Sequence, residues 1–305
     1  MKRYLFLIMC CLCMSIGCHA QQKKTEHITK ETPTAEELYE KAIDYVYGRN
    51  GVMMDSVKAV ELFEQSANMG FAKAQVERAC REKTESAALK WLLKAAAQDC
   101  HYAMRPLFGI YYNGRNDVPK NIDEAYKWLK KGAELGNPWC QWLWGNTLHY
   151  GYDGIPVNIN QAIYWLEKAT EQSQVEAVME LAELYDKGKL VKRDIQKANE
   201  LYLKAAELGN PNGAYNYAYA YEIGDGMEID KGTAFNWMKK AAELGHVGAQ
   251  LELAYFFATG YGCEKNEMAA RYWWDMVAKN EDAPEEDRKG AQYNISLLDQ
   301  HIEIK

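Results

Sequence analysis

The residues of this chain best able to do chemistry are its eight cysteines and six histidines. Cys10, Cys11, Cys13 and Cys18 crowd the N-terminus, while Cys80, Cys100, Cys140 and Cys263 are spread through the body. A nucleophilic thiolate needs a base within reach, and the one adjacency is Cys100–His101. A zinc-dependent hydrolase would place two histidines four apart on a helix. His19, His27, His101, His149, His246 and His301 contain no such pair. Gly-x-Gly occurs at Gly224–Gly226 and Gly260–Gly262, without the preceding strand and third glycine of a dinucleotide loop. "DAPEEDRK", residues 282–289, lacks the alternating ligand spacing of a calcium loop. The histidines therefore read as packing or solvent residues, the glycine pairs as turns and the acidic run as a solvated spacer. No catalytic residue, cofactor site or metal site is assigned.

The elements around these residues are written repeatedly. "YLKAAELGNPNGAY" from Tyr202 is nearly restated as "WMKKAAELGHVGAQ" from Trp237, and earlier as "WLKKGAELGNPWCQ" from Trp128. Gly114, Gly151, Gly188, Gly224 and Gly260 follow one another at intervals of 36–37 residues. Gly48 precedes Gly114 by 66, room for two units with one shortened. A period near 36 is that of a helical-hairpin solenoid.

Within one unit, Ala177, Leu181, Leu184 and Tyr185 form a helical stripe, and Gly188 can close that helix in the left-handed region. Val191 is expected to plug the loop. Asp194 can cap a second helix striped by Ala198, Leu201, Ala205 and Ala206, and Gly209 closes it before Pro211. Asp55, Asn121, Asn158, Asp230 and Asn266 hold the capping position elsewhere, each with an alanine four residues on. Three residues after that alanine come Trp128, Trp165, Trp237 and Trp273, with Leu62 and Leu201 substituting. These side chains are expected to fill the space beside the small alanines. The unit over residues 74–99 keeps Trp91 but has lost its glycine loop, which predicts a tighter turn. Pro106 should delay or kink the helix that contains it. The array is bounded at residues 34–280, followed over 281–305 by an acidic spacer and a capping helix.

The N-terminus differs. Lys2 and Arg3 precede an apolar run over residues 4–17, shorter than the roughly 20 residues of a spanning helix. Residues 1–20 read as an export signal. Cleavage after Ala20 and a lipobox reading of "SIGC", with lipid on Cys18, both remain open. Polar residues 21–33 follow as a flexible tether, and Thr34 with Glu37 makes a capping box for the first helix. The formal net charge of −7 argues against nucleic acid as a partner.

The Ala-x-x-x-Leu, Tyr-x-x-Gly, Asp-x-x-Lys-Ala and Lys-Ala-Ala-x-x-Gly elements resemble the Sel-one-like repeat family, relatives of the tetratricopeptide repeats, over residues 37–279. The resemblance implies an all-α, right-handed α-solenoid of about seven helical hairpins with a C-terminal capping helix. It also implies an adaptor or scaffold that binds other proteins, and since the repeat offers no convergent acid–base or nucleophile set at fixed positions, a non-enzymatic role is expected. Some relatives bridge each unit with a recurrent cysteine pair, and no such pair recurs here. The resemblance places the positions two and six residues after each unit's first alanine equivalent on the inner, concave side. Those positions hold Arg105 and Gly109, Trp142 and Asn146, Met179 and Glu183, Tyr215 and Tyr219, and Leu251 and Tyr255. Trp139, His149 and Glu222 flank them. The aromatics would serve equally for packing hairpin on hairpin. Asn146 and Glu183 are expected to hold a peptide backbone or a basic side chain between them. The leading expectation is an exported scaffold, periplasmic or lipid-anchored in a bacterial cell envelope, that takes a protein or peptide partner on this face. The membrane enters only through lipid on Cys18. An envelope accessory enzyme or hydrolase and a purely structural spacer are the alternatives.

Overall fold

The computed structural model describes residues 32–114 and 117–300. Cys18, the expected export signal, most of the expected tether, His19, His27 and His301 lie outside the described residues. The described residues form fifteen α-helices and no β-strand. They cluster into two compact units, Met1–Trp144 and Gly145–Lys305, whose division falls within one helix.

In the first unit α1 (Ala35–Tyr47) pairs with α2 (Ser56–Asn68), α3 (Ala72–Ala79) with α4 (Glu85–Ala96), and α5 (Met104–Asn113) with α6 (Ile122–Glu134). The dividing helix is α7 (Pro138–Tyr150), followed in the second unit by α8 (Ile159–Glu171). There α9 (Val175–Lys187) pairs with α10 (Ile195–Glu207), α11 (Pro211–Ile223) with α12 (Lys231–Glu243), and α13 (Val247–Thr259) with α14 (Glu267–Lys279). The last helix, α15 (Glu285–Asp299), packs on α14. Within each unit the fold is thus the all-α hairpin solenoid that the period requires. No helix among the described residues is long and apolar enough to cross a membrane.

The capping residues explain why each second helix starts where it does. The carboxylates of Asp55, Asp194 and Asp230, and the amide oxygens of Asn121, Asn158 and Asn266, accept hydrogen bonds from the first-turn amides. Each of these residues also donates its own N–H back to the first helix of its hairpin, as Asp194 does to the Tyr185 carbonyl at 3.0 Å and Asn266 to the Phe257 carbonyl at 2.7 Å. One residue therefore starts a helix and closes a hairpin. Thr34 and Glu37 form the expected capping box on α1. Gly188 ends α9 at φ +60, in the left-handed region that favours glycine.

The shortened unit turns between α3 and α4 over residues 80–84, tighter than the 188–194 loop between α9 and α10. Pro106 sits in the first turn of α5, where its missing N–H costs nothing, and a 3₁₀ turn (His101–Ala103) precedes it. Val191 is half-buried in its loop.

Three features depart from expectation. The recurrent tryptophans are not the buried filler. Trp91, Trp128, Trp165, Trp237 and Trp273 are half-buried, and the residue after each is the buried one: Leu92, Leu129, Leu166, Met238 and Trp274. Lysines complete the cover, with Lys240 over the Trp237 ring at 4.6 Å and Lys94 over Trp91 at 4.3 Å. The half-buried ring lies along the edge of the seam between close-packed alanines, and the next side chain points into it. Second, the acidic run is mostly helix. Glu285, Glu286 and Asp287 form the first turn of α15, where carboxylates meet the positive end of the helix dipole. Third, Asp99 and Ser173 stand at positive φ where Gly70, Gly136, Gly209 and Gly245 end the second helices of other units.

Candidate functional site

Within the second unit α9, α11 and α13 are the first helices of successive hairpins. Ala177, Gly213 and Ala249 turn inward on them and are buried. The residues two and six further on are therefore rotated to the flank of the core. Met179 and Glu183 are half-buried there, as are Tyr215 and Leu251, while Tyr219 and Tyr255 are 47% and 36% exposed. Tyr215 is fixed by a stack. Its ring lies 4.4 Å from the His246 ring at 12° and 6.4 Å from Tyr219 at 11°. His246 is held because it caps α13, its Nδ1 accepting from the Ala249 N–H at 2.9 Å. That bond requires an unprotonated Nδ1, and burial lowers the imidazole pKa in the same sense.

Two carboxylates share this surface, Glu222 at the end of α11 and Glu252 on α13. Burial raises the pKa of both, and Glu252 pushes Glu222 up further. Burial and then both carboxylates raise the pKa of the Tyr215 hydroxyl. Among the described residues neither Glu222 nor Glu252 has a hydrogen-bond or ion-pair partner. Glu252 also lines an open cavity of about 400 Å³ with Leu251, Tyr255, Trp274, Glu286 and Asp287.

The α7–α9 end of the same unit is built differently. Glu180, absent from the sequence reading, accepts from Asn146 Nδ2 at 2.9 Å and meets His149 Nδ1 at 2.8 Å, with the His149 and Glu180 side chains each 10% exposed. Glu183 accepts from Lys187 at 2.6 Å. Asn146 and Glu183 therefore do not stand open as a clamp for a peptide. One is engaged with Glu180 and the other with Lys187. In the first unit Trp139 packs on Phe108 with ring centroids 5.9 Å apart, lies under Arg105 at 4.6 Å and meets Trp142 edge-on at 6.2 Å.

Chemistry at Cys100–His101 is opposed by its surroundings. Cys100 is buried and its thiol pKa is raised, while that of His101 is lowered, again by burial first. An activated thiolate–imidazolium pair needs both shifts reversed. Among the described residues no disulfide joins Cys80, Cys100, Cys140 and Cys263, and burial pushes Cys140 up to about 12. Among the described residues no group of three histidine, cysteine or acidic side chains is arranged to hold a metal ion.

The Sel1 repeat family model matches residues 45–71, 83–100, 102–137, 140–174, 175–210, 211–246 and 247–282. The chain belongs to the Sel1 repeat family. A protective antigen of uropathogenic Escherichia coli strains that displays an SLR fold is similar at 24% identity and TM-score 0.70. That match covers 88% of this chain, which spans only 58% of the antigen structure. A Sel1 repeat protein from Oxalobacter formigenes is similar at 23% identity and TM-score 0.66, covering 87% of this chain and 76% of that one. These likenesses establish the fold, and in the Sel1 repeat family that fold is generally a protein-binding scaffold.

The Sel1 frame relates the two ends of the face. Glu180 and Glu252 stand at the same repeat position, three residues after Ala177 and Ala249. The preceding first helix offers Asn146 and His149 toward Glu180. At the matching positions before Glu252 it carries Tyr219 and Glu222. The sequence held this signal in the column that contains Glu180 and Glu252, one step from the positions singled out.

Proposed function

We propose that this chain is an exported, non-enzymatic scaffold that binds a protein or peptide partner through the first-helix face of its second unit, centred on Tyr215, Tyr219, Leu251 and Tyr255. The observation that carries the proposal is the run of tyrosines over neighbouring helices. Tyr219 and Tyr255 remain 47% and 36% exposed although the core beneath them is complete. Aromatic rings held on a rigid backbone lose little conformational entropy on binding and dominate interface energetics. Contiguous apolar surface of this kind marks interaction sites on soluble proteins.

A photo-crosslinking amino acid at position 219 tests this in the cells that make the protein. A crosslinked partner from position 219, with none from position 164, is the expected result. Tyr164 is a control of similar exposure, at 51%, on a second helix. Equal crosslinking from both positions, or none from 219, removes the assignment of this face. Export rests on the basic and apolar N-terminal pattern. Mass spectrometry of the native protein is expected to find Cys18, lipidated, or Gln21 as the first residue, and an intact Met1 terminus would refute export.

A further inference from the structure

The same column of the repeat is finished in two ways. At Glu180 the chain supplies its own partners, an amide and an imidazole from the preceding first helix. At Glu252 the preceding helix supplies Tyr219 in place of the amide and Glu222 in place of the histidine. A carboxylate thus stands where the position four helices earlier has a donor. Like charges brought together at a half-buried surface are unfavourable. Among the described residues no lysine, arginine or histidine donates to Glu222 or Glu252, although many other carboxylates of this unit are paired, among them Glu171, Glu183 and Asp275. The surroundings are aromatic on one side, at Tyr215 and Tyr219. On the other they open into the cavity edged by Tyr255, Glu286 and Asp287.

We propose that the partner places a basic side chain, arginine in preference to lysine, between Glu222 and Glu252 and against the Tyr219 ring, completing from outside the arrangement that His149 and Asn146 complete internally at Glu180. The inference rests on the reading that this face binds a partner, and it adds the partner's chemistry. Arginine fits for physical reasons. Its planar guanidinium donates to two carboxylates at once, stacks on an aromatic ring, and loses less hydration than an ammonium on entering a half-buried site. The cavity beside Glu252 gives a second basic residue of the same segment a place, with Glu286 and Asp287 at its rim. The ligand is therefore a basic peptide segment with apolar residues between its cations.

Fluorescence anisotropy with synthetic peptides tests this on the full chain. The probes are a short peptide alternating leucine and arginine and its citrulline twin, which keeps the shape without the charge. The arginine peptide is expected to bind about tenfold tighter at physiological salt. The double variant Glu222→Gln/Glu252→Gln should lose that advantage while its melting temperature holds or rises. Glu171→Gln/Glu243→Gln, which alters the net charge equally at exposed second-helix positions, should keep it. The inference is overturned if citrulline binds as tightly, or if the two double variants weaken binding alike, since long-range charge would then suffice. It is also overturned if the Gln variant loses binding only together with stability. Absent arginine-peptide binding alongside a specific crosslink from position 219 removes this inference and leaves the proposed function standing. Loss of both removes both.

Discussion

Glu180 and Glu252 occupy one position of one repeat, on first helices of the same compact unit, and meet opposite fates. Glu180 is 10% exposed at its side chain and held by His149 and Asn146. Glu252 is half-buried, its pKa is raised by that burial, and the nearby group at the histidine's position is the carboxylate of Glu222. The backbone is equivalent at both places, so the fold alone does not decide between them. The difference lies in two side chains on the preceding helix, Asn146 and His149 against Tyr219 and Glu222. A repeat can thus seal its surface in one place and leave it open in another without altering the scaffold.

The strongest test lies beneath the sealed end. Leu166 is fully buried and packs under Gly145. Leu166→Ala is expected to cost about 2–5 kcal/mol by denaturant midpoint. Its neighbour Trp165, half-buried with its ring edge-on to Tyr164 at 5.0 Å, should cost only about 1 kcal/mol as alanine. A reversal of that order would show that the second-helix register is wrong. Between these two falls the direct comparison. Glu180→Ala strands a half-buried amide and imidazole and should cost about 2 kcal/mol. Glu252→Ala, at the same repeat position, should leave the midpoint unchanged or raise it. Equal losses would show that Glu252 has a structural partner and would end the contrast.

The smallest effect is in pH. A carboxyl with a raised folded pKa binds protons more tightly in the native state, so its ionisation opposes folding. For Glu222 and Glu252 the penalty is absent below the ordinary value of 4.5 and grows as pH rises through the elevated native values. The groups that face them act in known directions. Tyr215 and Tyr261 are neutral in this range, with raised pKa values of their own. Glu286 and Asp287 add negative charge at the cavity. His246 has the opposite sign, since its lowered pKa makes stability fall as pH drops below the ordinary 6.5. The difference between wild type and Glu222→Gln/Glu252→Gln isolates the carboxylates. Thermal melts should show the variant at an advantage near neutrality that vanishes toward pH 4.5. An advantage that persists at low pH would mean that the gain is not electrostatic.

The period, the capping residues and the glycines of the full-length hairpin loops were legible in the sequence because each acts locally. Asp194 caps whatever helix follows it, and Gly188 takes φ +60 within its own turn. The tryptophans misled because their identity recurs more visibly than that of the residue after them. Leu92, Leu129, Leu166, Met238 and Trp274 are three leucines, a methionine and a tryptophan, ordinary apolar residues that stand out less than a recurring tryptophan. The candidate face was legible in part. Tyr215, Tyr219 and Tyr255 fall on it by spacing, but the engagement of Asn146 and His149 by Glu180 spans more than 30 residues and needs neighbouring hairpins in place.

The sequence by itself determined that the chain is an array of helical hairpins of period near 36, where the second helices capped by Asp55, Asn121, Asn158, Asp194, Asp230 and Asn266 start, and which small residues turn inward, because 3.6-residue periodicity and capping are properties of a few consecutive residues. Only the tertiary structure decided which side chain of each second helix enters the seam, that Glu180 is satisfied from within, and that Glu222 and Glu252 are left facing tyrosines without a cation. Those outcomes depend on the approach of one first helix to the next, which is set by packing between hairpins and encoded in no single stretch of chain.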